Sequence, residues 1–380
     1  MPDQLSPELA ATKSDMLAFI DNVLAPLDDK VRRGYALSDD DRRRVREASQ
    51  SVGFFGKTQP AEFGGKPASM LELIMLRETL AASHTTLSGL VFGPGPGMLH
   101  AATGRLKTDY LEPVMRGEKR GAFGFTEPDN AIRPTWATWD DDELVVQGQK
   151  SYVTGGDTAD FVSVLVNVEK SDGEKAGTAM VVIDRETEGV EITRSFNSME
   201  GGGHVAMTFN KVRVGVDQVI GKIGEGMPRA LGNIGNVRLN VSADAMGLCM
   251  WVLDYVEKHL RAPHRSGSPL GDREGVRLRF ADMRIETYVA RSALYRTARL
   301  ADTGENIVNE TIATKVFCTE TAGRVVDHAV QLVGGQALVK GHPLEALYRQ
   351  IRSYRLIEGA SDLLRINLVK GKLELDKGRV

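Results

Sequence analysis

Apolar positions recur at helical intervals in the first third of the chain, at intervals of two in the middle, and at helical intervals again to the end. Met16, Ile20, Leu24 and Leu27 are spaced by four, four and three, which marks one apolar helix face. Asp39, Asp40 and Asp41 precede a basic run, a good helix start because acids complement the positive end of the helix dipole. Met70 to Ala82 resumes helical spacing, and Gly93-Pro94-Gly95-Pro96-Gly97 breaks it. From Gly121 to about Gly235 the runs are short and β-rich: Leu144-Val145-Val146, Phe161 to Val168, Thr178 to Asp184 and Val190 to Thr193. Val205, Met207 and Phe209 alternate with Ala206, Thr208 and Asn210, a period of two. Farther on, Val241, Ala245, Leu248, Val252 and Tyr255 step by four, three, four and three, the stripe a bundle core needs. Val276, Phe280 and Met283 begin a second stripe, and Val325, Val326, Ala329, Val330 and Val333 form a third that stops at Gly334. The pattern predicts an α+β protein: a helical domain over 1–120, a β-barrel or sandwich domain over 121–235, and a helical bundle over 236–380.

Length and charge narrow the partners. A chain of 380 residues can bury a large core in more than one packed unit. Its 48 Lys and Arg nearly balance 51 Asp and Glu, and aromatics make up only 6%, so neither a bulk field nor a stacking surface points to nucleic acid. A small ligand is the simpler expectation. Cys249 and Cys318 are the two cysteines, each inside a helix-like apolar pattern, which provides no disulfide framework and no metal-ligand spacing. The opening residues lack the basic and apolar blocks of a signal peptide, and no apolar run is long enough to span a bilayer. The expectation is a soluble, cytoplasmic protein of a reducing compartment.

Familiar catalytic motifs are missing: there is no Gly-x-Ser-x-Gly elbow and no His-Glu-x-x-His. Phe54 to Thr58 invites a phosphate-loop reading, but Ser51 stands where that motif needs its first glycine. Gly224-x-Gly226 lacks the third glycine of a dinucleotide fingerprint. What remains is the stretch Pro343 to Arg365. Arg349, Arg352 and Arg355 recur at a spacing of three on one helical face, which could meet phosphates. Glu358-Gly359-Ala360-Ser361 then reads as a break followed by a new helix start, with Ser361 as the cap. Glu358 lies between Ile357 and Gly359, and two readings stay open: a carboxylate favouring the positive end of the next helix, or a catalytic base held by backbone.

Three further clusters join this stretch: Phe123-Gly124-Phe125-Thr126-Glu127-Pro128, Gly148 to Gly156, and Gln331-Leu332-Val333-Gly334-Gly335. Together with the helix/β/helix order and Ile357-Glu358-Gly359-Ala360-Ser361, they resemble the acyl-CoA dehydrogenase family of flavoproteins, and the resemblance covers nearly the whole chain. It implies an N-terminal helical domain, a middle β-barrel domain and a C-terminal four-helix bundle, with FAD as cofactor and no metal. It implies oxidation of an acyl thioester between Cα and Cβ, a homotetramer or dimer, and an electron-transfer flavoprotein as acceptor.

Carried over by position, the resemblance sets Phe123, Phe125 and Thr126 beside the isoalloxazine, with Tyr152 and Thr154 on its other edge. Gln331, Gly334 and Gly335 resemble the segment that meets the adenine end of FAD from a neighbouring subunit, and Arg265, Ala360 and Asp362 match cofactor-binding positions. Arg238, taken to open the first C-terminal helix, matches an arginine near the base. The family keeps its base either just before that arginine or in the terminal Glu-Gly segment. Val237 fills the first place here and Glu358 the second, so the resemblance makes Glu358 the base, with Gly359 and Ile132 beside the substrate. Ala131-Ile132-Arg133 replaces the family's Gly-Ser-Asp, Pro263 replaces an arginine, and Ala360 replaces a threonine. These departures keep two rivals open: a flavin N-hydroxylase or thioester lyase of the same fold, and a non-catalytic, flavin-poor paralogue in a hetero-oligomer.

Overall fold

The computed structural model describes residues 4–100, 102–199 and 201–376. Four helices come first: α1 (Pro7–Phe19), α2 (Ala25–Arg32), α3 (Asp39–Ser51) and α4 (Met70–Ala82), with a wider turn over Ile20–Leu24 joining α1 to α2. Short helices α5 (Gly104–Leu106) and α6 (Glu112–Arg116) precede seven strands. The strands are β1 (Gly121–Gly124), β2 (Trp136–Asp140), β3 (Glu143–Thr154), β4 (Phe161–Lys170), β5 (Lys175–Asp184), β6 (Val190–Asn197) and β7 (Gly203–Gly215). The chain closes with α7 (Gly226–Arg261), α8 (Glu274–Ala301), α9 (Val308–Val333), α10 (Pro343–Tyr354) and α11 (Ser361–Leu373). Gln59–Gly64 and Pro94–Ile234 form one compact unit, and Met1–Thr58, Gly65–Gly93 and Gly235–Val380 form the other.

The β unit is one mixed sheet in the order β1-β4-β2-β3-β7-β6, with β5 on β4. Strand β4 is buried at Phe161 to Val166 without alternation, because it pairs with β1 and β2 in parallel and with β5 in antiparallel fashion and is covered on both faces. Val146, Val153, Val164, Val181 and Met207 belong to its core.

In the helical unit the stripes read from the sequence become the cores. Met16, Ile20 and Leu24 pack with Val45, Met75 and Leu76, while Ala245, Leu248, Cys249 and Val252 pack with Met283, Leu294, Cys318, Val325 and Ala329. Both cysteines are free and buried, and burial raises both thiols well above their ordinary range, Cys249 to about 12. Helix α7 starts at Gly226, twelve residues before Arg238, so Arg238 lies inside that helix instead of opening it. Gly247 sets the approach of α7 to α4, since a Cβ there would lie 2.3 Å from the Glu78 carbonyl oxygen.

That contact surrounds a buried acid absent from the sequence reading. Glu78 is 1% exposed and receives both ends of the Arg291 guanidinium, at 2.6 and 2.8 Å, and the Tyr295 hydroxyl at 2.7 Å. Removing one member leaves buried charge uncompensated, which costs far more than the intact pair contributes. Glu78→Ala is expected to lower unfolding free energy by about 3–5 kcal/mol, read from denaturant titration, whereas a change below about 1 kcal/mol would contradict this account.

Candidate active site

Helix α10 forms because Pro343 opens it, His342 Nδ1 accepts from the Leu344 N–H at 3.2 Å, and Leu344, Leu347 and Ile351 bury one face. It ends by folding back: the N–H groups of Leu356 and Ile357 both donate to the Ser353 carbonyl, at 2.8 and 3.0 Å. Glu358 and Gly359 then adopt left-handed backbone, φ 54° and 101°, before α11 begins. Ala360, not Ser361, is the residue that caps α11. Ser361 is already inside the helix and buried, its N–H donating to the Arg355 carbonyl at 2.9 Å.

Two buried cations hold this break open. Arg238 on α7, 8% exposed, donates through Nε to the Glu358 carbonyl at 2.9 Å. Lys315 on α9, 0% exposed, donates through Nζ to the Gly359 carbonyl at 2.8 Å. Among the described residues, neither cation makes a salt bridge, and the Glu358 carboxylate makes neither a hydrogen bond nor an ion pair. The N–H groups of Glu358 and Gly359 likewise have no backbone partner among the described residues. Burial pushes the Glu358 carboxyl above the ordinary carboxylate range, while Arg238 and Lys315 pull the other way. Lys315 itself is pushed down to about 8, first by burial and then by Arg238. Glu358 is thus an acid with a free carboxylate, a raised pKa and a fixed backbone.

The β unit gathers a second group. Lys150, buried on β3, donates to the Phe125 carbonyl at 3.1 Å and pairs with Glu127, which also accepts from the Thr135 N–H at 3.1 Å. The Ser151 N–H donates to the Thr126 carbonyl at 2.8 Å. This staple fixes the loop after β1 and leaves the Thr126 side chain exposed. The rings of Phe123 and Phe125 lie 5.6 Å apart. A register shift in β3 between Lys150 and Val153 turns Tyr152 outward, at φ 56° and 63% exposed. Its ring meets Phe196 edge-on at 5.5 Å, Phe196 lies 5.9 Å from His204, and His204 Nδ1 is 3.1 Å from Thr154 Oγ1. Half-buried aromatic rings with the exposed Tyr152, Thr126 and Thr154 beside them suit a heteroaromatic ring with a polar rim.

The remaining sequence candidates make neither set of contacts. Ile132 is 100% exposed, beside an Arg133 that stacks on Trp136 at 4.3 Å and pairs with Glu169. Arg265 is exposed in the loop after α7, Gln331 on the last turn of α9, and Gly334 and Gly335 follow it. Asp362 is exposed on α11 and bonded to Arg365 at 3.1 Å. Arg349 and Arg355 bind Glu345 and Glu320, so the arginine row read from the sequence is largely neutralised within the chain. Lys315, Lys150, Phe196 and His204 were missed. A lysine inside the apolar pattern of α9 was the one legible signal among them.

Family models match all three parts of the chain: "Acyl-CoA dehydrogenase, N-terminal domain" over residues 6–118, "middle domain" over 122–212 and "C-terminal domain" over 224–373. The chain is 27% identical to the mitochondrial short/branched chain specific acyl-CoA dehydrogenase of Rattus norvegicus, over 82% of this chain and 74% of the relative. It is 25% identical to the Caffeyl-CoA reductase-Etf complex subunit CarC of Acetobacterium woodii, over 84% of this chain and 87% of the relative. The solved acyl-CoA dehydrogenase of Geobacillus kaustophilus shares the fold, with a TM-score of 0.81, 22% identity and coverage of 98% and 99%.

Lys315 gives a pH test of the brace. Its pKa falls from 10.5 to about 8 on folding, so between those values the unfolded chain holds the extra proton and stability rises with pH. Below about 8 the cost of burying the cation is present in full. The unfolding free energy of the wild type relative to Lys315→Met is therefore expected to grow from pH 8 to 10.5. A difference that is flat or shrinks over that window would contradict the assignment.

Proposed function

The chain belongs to the acyl-CoA dehydrogenase family, and we propose that it oxidises an acyl thioester between Cα and Cβ, with Glu358 as the base that takes the α-proton. The observation that carries this reading is the unengaged Glu358 carboxylate, raised in pKa by burial and standing on a braced backbone. A general base works best with a pKa near the working pH, and burial moves a carboxylate that way.

Charge makes the step feasible. Arg238 and Lys315 surround a single carboxylate. When the proton moves to Glu358, negative charge passes to the thioester oxygen inside the same field. The unpaired N–H of Glu358 is the donor available to that oxygen as the enolate forms, an arrangement in which no solvent need reorganise. Arg238 and Lys315 act on the backbone, so their role is to position the base.

FAD is the cofactor this reading requires; when bound it accepts the hydride from Cβ. Phe125, Thr126, Tyr152 and Thr154 are the residues that would hold its ring, with Lys150 and Glu127 keeping their loop in place. Arg265, Gln331, Gly334, Gly335, Ala360 and Asp362 are proposed for the rest of the cofactor, some of them from a second copy of the chain. Exposed apolar residues on α8 (Leu278, Ile285, Tyr288) and α11 (Leu363, Ile366, Leu373) support a homo-oligomer. Electrons would leave to an electron-transfer flavoprotein, in keeping with the name of the Acetobacterium relative. That relative is a reductase, and the same protonated Glu358 can return a proton to Cα in the reverse direction. No helix among the described residues is long and apolar enough to cross a membrane, and two buried free thiols fit a cytoplasmic setting.

Glu358→Gln is expected to keep bound flavin and to slow its bleaching by acyl-CoA by about 10²–10⁴-fold, the usual contribution of a positioned base. Unchanged bleaching by stopped-flow absorbance would remove Glu358 from this role.

A further inference from the structure

A cavity of about 360 Å³ lies within the helical unit, and none of the polar residues lining it has been given a role above. Its walls include Arg77 on α4, His84 in the turn that follows, Asp244 and Leu248 on α7, and Gln350 and Tyr354 on α10. Arg77 donates to the Asp244 carboxylate through Nη2. Its Nε, and His84 Nδ1, are buried polar atoms with no hydrogen-bond partner among the described residues. The His84 ring cannot swing freely: it stacks on Trp251 at 4.0 Å, and its backbone, at φ 55°, is bonded through the carbonyl to Arg32 at 3.1 Å. Buried polar atoms without partners are rare enough to need a cause, and a cavity between two of them offers one.

The cavity shares its framework with the proposed base. Asp244 follows Arg238 by six residues on α7, about 9 Å along the helix axis. Tyr354 precedes Glu358 by four residues. Helix α7 and the α10 segment thus carry residues of both the cavity wall and the break at Glu358.

We propose that this cavity receives the distal end of the acyl group and that this end carries a neutral group which both accepts and donates hydrogen bonds, such as a hydroxyl or a carboxamide. The inference rests on the dehydrogenase reading and narrows its substrate class. A hydrocarbon end would leave Arg77 Nε and His84 Nδ1 desolvated and unpaired. An ionised end fits no better, because Arg77 and Asp244 already cancel and burial holds His84 towards its neutral form, leaving a new charge without a counterpart. A neutral acceptor and donor satisfies Arg77 and His84 on one side and the Asp244 carboxylate or Gln350 on the other.

The test pairs hexanoyl- and octanoyl-CoA with their ω-hydroxy and ω-carboxy counterparts in the flavin-bleaching assay. Wild type is expected to favour the ω-hydroxy chain over the methyl-ended chain by about tenfold in kcat/KM, the order of one hydrogen bond to a charged donor. The double variant Arg77→Met with Asp244→Leu removes both charges together, which buried ion pairs often tolerate, and should reverse that preference. Equal or better use of the methyl-ended or ω-carboxy chain by wild type would overturn the proposal, as would a preference that survives the double variant. Should no thioester bleach the flavin, the dehydrogenase reading fails separately. Calorimetric titration of the ω-hydroxyhexyl thioether of CoA against the hexyl thioether then decides the cavity's preference by binding alone: tighter binding of the hydroxy form supports it, and equal or weaker binding ends it.

Discussion

A residue with a long side chain held in left-handed backbone costs on the order of 1 kcal/mol or more, and it persists only where its surroundings determine it. At Glu358 those surroundings are two consecutive carbonyls, each bonded to a buried cation from a different helix. The brace fixes the direction of the backbone while using none of the carboxylate and none of the N–H groups at the break. Chemistry is left with an acid and its donors in place. Gly359 completes the turn because φ 101° suits only glycine, and a Cβ there would also lie 3.0 Å from Leu364.

The cations carry an electrostatic cost as well as a structural role. Lys315 and Arg238 have both been taken from water without an ion-pair partner, and burial lowers both of their pKa values. Nearby negative charge lowers that cost, and the Glu358 carboxylate is the acid that acts on both cations. The buried Glu78, Arg291 and Tyr295 group differs in kind: every member is paired, and it sets the packing of α4 on α8 with no free valence for a ligand.

The sequence disclosed the architecture well because apolar period is a backbone property that burial enforces directly. Met16, Ile20, Leu24, Ala245, Leu248 and Val252 were all read from spacing and all lie in cores. Glu358 stood out as an acid between an isoleucine and a glycine, but the segment alone left a helix-start role open, and the family resemblance is what singled it out as a base. Its partners were not legible. Lys315 stands 43 residues before Glu358 and reaches the Gly359 carbonyl only through the tertiary packing of α9. The outward turn of Tyr152 depends on a register shift between β3 and β7, which no local signal in Gly148 to Gly156 announces. Ser361 was misassigned as the cap because serine's capping preference is a local tendency, and here the tertiary turn to Arg355 starts α11 one residue earlier.

The central claim is that Glu358, and not any other acid of the chain, moves the α-proton. Exchange isolates that step from electron transfer: a thioester whose β-position cannot be oxidised, such as a 3-thiaacyl-CoA, is incubated with the FAD-loaded protein in D₂O and its α-position is followed by NMR. The account predicts deuterium uptake catalysed by the wild type and lost in Glu358→Gln at equal flavin content. Uptake at the same rate in both proteins would contradict it.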